Sequence, residues 1–146
     1  MRVTFTKKRH GRDFPNWVAQ LGKRRIEGSH AGSDPRHLPH DIVTLVVERE
    51  LGIRDGFFGT VAAGGVFKSM AGIQKPSRRT AIGRNRSAID AAEHAVNQHW
   101  SAWLQGQPTS CRDALDNAYN RWMEVEPGGT LTLDFLDLPA HPARAR

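Results

Sequence analysis

Apolar and polar positions alternate cleanly at both ends of the chain. In Arg2–Lys7, Val3 and Phe5 fall on one face and Thr4 and Thr6 on the other. Near the far end, Leu131, Leu133 and Phe135 share a face within TLTLDF. This period of two marks half-buried strands, and two such strands with one apolar face each can pair in one sheet. WVAQL and RRIEGS are weaker strand candidates, with Gly22 placed between them to form a hairpin. Elsewhere the period lengthens. Ile89, Ala92, Val96, Trp100 and Trp103 recur at spacings of three and four, as do Cys111, Leu115, Ala118, Tyr119 and Trp122, so each set predicts one apolar helix face. Ser110 and Asp113 form an S-x-x-D start signal for the second of these helices, and Pro127, Gly128 and Gly129 stop it.

The most patterned stretch is LPHDIVTLVVERELG, residues 38–52. Pro39 suits the first helical position and Gly52 the end of a helix. Drawn at about 100° per residue from His40, Thr44 lies near ~40°, Glu48 near ~80° and Asp41 near ~100°. Ile42, Val43, Leu45, Val46, Val47 and Leu51 cover most of the remaining circle, with Arg49 interrupting the arc. The helix is therefore buried around most of its circumference and carries one narrow polar stripe. The glycine-rich DGFFGTVAAGG that follows predicts one or two tightly packed helical turns. Together these elements give an α+β fold: a small antiparallel sheet including the N- and C-terminal strands, packed against about four helices. A single domain spans 1–138, and 139–146 reads as a flexible tail.

The polar stripe is the one place that invites chemistry. His40, Asp41 and Glu48 are the candidates for acid–base work, and His40 for a metal ligand. A zinc site on one helix needs ligands at i and i+4. The residue four after His40 is Thr44, and Glu48 lies about 12 Å along the axis. Partners from elsewhere, such as His37, His94 or His99, would have to complete a site, and no spacing demands it. The simpler expectation places Asp41 in the first turn, where the macrodipole favours a carboxylate, with His40 and Glu48 on an exposed edge. No cofactor motif is present: there is no phosphate loop, no dinucleotide-binding glycine pattern and no G-x-S-x-G.

LPHD-x-V-x(4)-E-x-E-x-G followed by G-x-F-G-x-x-A-A-G-G resembles a group of short uncharacterised bacterial proteins. The likeness covers about 28 of the 146 residues. In that group a second His often stands at the position of Thr44, where this chain departs. The resemblance implies a shared fold element and no activity.

Charge adds the remaining signal. Residues 1–86 hold 17 Lys and Arg against 7 Asp and Glu, whereas residues 87–146 hold 4 against 8. Three basic segments stand out, at 7–12 (Lys7, Lys8, Arg9), 22–25 (Lys23, Arg24, Arg25) and 75–86 (Lys75, Arg78, Arg79, Arg84, Arg86). They predict a basic loop surface for a macromolecular partner, either a protein or a nucleic acid, although no named nucleic-acid module is present. The single cysteine, Cys111, excludes an intrachain disulfide, reads as a small buried thiol and suits a reducing cytoplasmic compartment. No apolar run is long enough to span a membrane.

Overall fold

In the computed structural model, which describes residues 1–8, 17–28, 38–64, 70–71 and 86–135, the alternating segments form one antiparallel sheet. Its strands are β1 (Arg2–Thr6), β2 (Trp17–Leu21), β3 (Arg24–Gly28), β4 (Met70–Ala71) and β5 (Thr130–Asp134), in the order β4-β3-β2-β1-β5. The strands from the two ends of the chain are neighbours, with Val3 opposite Leu133 and Phe5 opposite Leu131. The described residues also form four helices: α1 (His40–Leu51), α2 (Phe57–Ala62), α3 (Arg86–Leu104) and α4 (Arg112–Met123).

The register explains the two faces. Leu133, Val3, Ala19 and Ile26 line up across four strands, and so do Leu131, Phe5, Trp17 and Gly28. All eight are buried on the helix side. Gly28 is needed because Trp17 lies across it, and a Cβ there would penetrate the indole ring. The opposite face carries Asp134, Arg2, Gln20 and Arg25 in one row and Thr132, Thr4, Val18 and Glu27 in the next. No described element covers that face.

Helix α1 packs against the apolar face, with Ile42, Val43, Leu45, Val46 and Val47 fully buried. Each such side chain contributes about 1.5–3 kcal/mol relative to exposure. Pro39 is the cap residue rather than the first helical one. Gly52 ends the helix at φ 69°, where Gly52 and Ile53 N–H close back on the Arg49 and Glu48 carbonyls. Phe58 of α2 sits at the centre of the core, with Phe57, Trp17, Phe135 and Phe5 ring centroids 4.9, 5.3, 6.1 and 6.3 Å away.

The later helices differ in detail from the sequence expectation. In α4, Ser110 does not cap. Cys111 takes the cap position, and its N–H donates to Thr109 Oγ1 at 3.1 Å. The Cys111 thiol is buried, and burial raises its pKa, so it behaves as a packed apolar group. In α3, Ala92 and Val96 are buried, while Ile89, Trp100 and Trp103 are half-buried. Met70 and Ala71 pair with β3 as a short edge strand.

Candidate functional site

The polar stripe of α1 does not act as one site. His40 turns toward α3: its Nε2 lies 3.2 Å from Asn97 Oδ1, and its ring is 5.2 Å from that of Trp100. Thr44 Oγ1 donates to the His40 carbonyl at 2.9 Å and approaches His40 Nδ1 at 3.4 Å. At the position where a second ligand would sit on this helix, the hydroxyl is thus engaged with the helix itself. Among the described residues, no group of three His, Cys, Asp or Glu side chains could hold a metal ion.

Glu48 corrects the expectation of an exposed edge, being only 1% exposed. Its carboxylate reaches across to the start of α2. Oε2 accepts the Phe57 N–H at 2.6 Å, and Oε1 accepts those of Phe58 at 3.0 Å and Gly59 at 3.4 Å. These are the donors a helix start leaves unpaired, and the α2 cap residue, Gly56, has no side chain to serve them. A carboxylate from the preceding helix does so instead, with favourable charge at the positive end of the dipole. The glycines make room for this: a Cβ on Gly56 would strike Glu48 and Ala92, and one on Gly59 would strike the Arg54 carbonyl. Burial raises the Glu48 pKa to about 7, against the opposing effect of the three N–H groups, while the Asp55 charge adds to the rise.

Asp41 faces the sheet. Burial pushes its carboxyl to about 7 as well, and the Trp17 indole N–H, approaching from β2, opposes the rise. That indole stops short of hydrogen-bond geometry, so Trp17 Nε1 and Asp41 Oδ2 are both buried without a hydrogen-bond partner. Thr60 Oγ1 and Trp100 Nε1 are the other buried side-chain atoms in this condition among the described residues. His40 and Asp41 are adjacent in sequence but diverge, one toward α3 and the other toward β2.

The basic residues separate in a similar way. Lys7, expected at a binding surface, is a structural donor. Its Nζ bonds to the Trp122 carbonyl at 2.8 Å and the Val125 carbonyl at 3.0 Å, and lies 5.0 Å from the Trp122 ring centroid. It thereby satisfies the C-terminal end of α4. Desolvation lowers its pKa, partly offset by Glu126. Lys8 is exposed just beyond β1, whereas Lys23, Arg24 and Arg25 are exposed at the β2–β3 turn. The antiparallel register sets these two groups at opposite ends of the sheet, because Phe5 faces Trp17 and Arg2 faces Gln20. They do not converge. Arg86 is exposed in the first turn of α3 rather than in a loop. Arg9, Lys75, Arg78, Arg79 and Arg84 lie outside the described residues.

Among the described residues an exposed basic cluster remains at the Met1 end of the sheet. Arg2, Gln20 and Arg25 share a row on the uncovered face, next to Lys23 and Arg24 at the turn. Arg2 pairs with Asp134 at 3.3 Å and Arg25 with Glu27 at 3.2 Å. Lys23 and Arg24 have no ion pair with a described residue. Comparison of the chain with protein-family models, with curated proteins and with solved structures finds no match. No described helix is long and apolar enough to cross a membrane.

Proposed function

We propose that this is a non-enzymatic cytoplasmic binding protein that engages an acidic protein partner through the basic turn and the uncovered sheet face beside it. The observation that carries this reading is the row of Arg2, Gln20 and Arg25 on a face no described element covers, flanked by Lys23 and Arg24 at the adjoining turn. Asp134 and Glu27 alternate with the arginines on that face. Mixed charge of this kind suits a protein surface, where it fixes orientation, better than a run of phosphates, which both carboxylates would repel. The one cysteine, buried and unpaired, is compatible with a reducing compartment.

Fluorescence anisotropy with a Glu/Asp-rich peptide and with single- and double-stranded nucleic acid tests the assignment. Peptide binding should weaken at least about tenfold in the Lys23→Glu/Arg24→Glu variant, with melting temperature unchanged. Tighter binding to nucleic acid, with a steep log–log salt dependence, would transfer the site to that partner class. Binding to neither probe would remove the reading.

A second reading rests on Asp41. A carboxyl held at about 7 with one oxygen unpartnered has the properties of a general acid or base at neutral pH. A panel of ester, phosphate-ester and glycoside substrates provides the check. Turnover that disappears in Asp41→Asn without loss of stability would support it, and a panel without turnover argues against it.

A further inference from the structure

Among the described residues β5 is an edge strand, and its outer side can be read from its pairing with β1. Met1 and Phe135 exchange both backbone hydrogen bonds, at 2.8 and 3.2 Å. Counting in twos along the register, Val3–Leu133 and Phe5–Leu131 are also hydrogen-bonded pairs. Arg2–Asp134, Thr4–Thr132 and Thr6–Thr130 are then the non-hydrogen-bonded ones, as the 2.9 Å contact between the Thr4 and Thr132 hydroxyls requires. The N–H and C=O groups of Thr130, Thr132 and Asp134 therefore point away from β1, along the open edge.

Two of those three carbonyls are occupied by arginines from the helix layer. Arg121 of α4 donates Nη2 to Thr132 O at 3.3 Å, and Arg49 of α1 donates Nη1 to Asp134 O at 3.2 Å. The strand they cover, TLTLD, is β-branched and apolar in alternation, with one charge. Left open, such an edge is a template for another strand. The two arginines stand on different helices and meet acceptors two residues apart, so the contact is a property of the assembled fold.

We infer that Arg49 and Arg121 together keep β5 from pairing with β5 of a second copy. The occupant they exclude is another copy because an antiparallel edge pairs with its own twin about a two-fold axis, and every molecule presents that edge. A partner strand needs the outward carbonyls as acceptors for its own N–H groups, and the guanidinium groups occupy two of them.

The test is sedimentation velocity and light scattering over a wide concentration range on Arg49→Met/Arg121→Met. The double variant should dimerise at least about tenfold more tightly than the wild-type chain for each carbonyl released. Adding Thr132→Pro removes an outward N–H without touching a β1 hydrogen bond, and should return the double variant to monomer with its circular dichroism unchanged. A double variant that keeps the wild-type mass overturns the inference. So does a dimer that survives Thr132→Pro, or a wild-type dimer that Thr132→Pro dissolves. If the double variant does not fold, Arg121→Met alone decides, because that side chain is exposed; no gain in association over wild type then overturns it.

Discussion

Asp41 and Glu48 sit seven residues apart on one helix, and burial lifts both carboxyls to about 7. Their surroundings are otherwise opposite. Glu48 is held by three backbone N–H groups and shaped around by two glycines. Asp41 has an indole nearby that does not complete a hydrogen bond, and one oxygen sealed away without a partner. A buried carboxyl that is fully served is a structural part, whereas one that is half-served costs stability without return inside the fold. The contrast between these two side chains separates fold from candidate chemistry more sharply than any motif in the sequence.

The strongest way to break it is Glu48→Ala. If Glu48 organises α2, its loss leaves buried N–H groups unpaired at the helix start and should cost about 3–5 kcal/mol, read by chemical denaturation. The pH dependence comes next. Both carboxyls have folded pKa values above their ordinary 3.8 and 4.5, so the folded state binds protons more tightly than the unfolded state. Stability should therefore be full below about pH 4 as far as these groups are concerned, and fall as pH rises through 7. For Glu48 the loss reaches roughly 3 kcal/mol, because each pH unit separating its folded and unfolded titrations is worth about 1.4 kcal/mol. Denaturation midpoints that rose between pH 5 and pH 8 would contradict this sign. Gly56→Ala should cost about 1–3 kcal/mol, since its methyl competes with the Glu48 carboxylate for one position. The last effect has the opposite sign: Asp41→Asn removes an ill-served charge and should raise stability at pH 8, where the carboxyl is ionised, and not below about pH 4. If Asp41→Asn were as damaging as Glu48→Ala, the two carboxyls would not differ in kind.

Much of the fold is legible in the chain. The alternation of Val3 and Phe5 and of Leu131 and Leu133, and the apolar arc of α1, report directly on burial, and the sheet and central helix follow from them. The same pattern misplaces Glu48, because a helical wheel shows which side chains share an angle and says nothing about what lies beyond the helix end. A signal is nevertheless present: in DGFFG the helix starts from a glycine cap, which has no side chain to serve its N–H groups, so an acceptor must come from elsewhere. Lys7 escapes a sequence reading for a related reason. Charge counting cannot tell a lysine in water from one seated on the carbonyls of Trp122 and Val125, 115 and 118 residues away in sequence. The separation of Lys8 from Lys23–Arg25 depends on strand register, which composition does not contain.

The pairing of β1 with β5 also governs the order in which the molecule can be built. β1 can meet β2 as soon as residues 17–21 are made, but its other edge waits for Thr130–Asp134, beyond all four described helices. During synthesis the last strand of the sheet is therefore made after every described helix, and its pairing with β1 closes a loop of more than a hundred residues. A chain stopped before Thr130 would leave β1 without its β5 neighbour and the core without Leu131, Leu133 and Phe135.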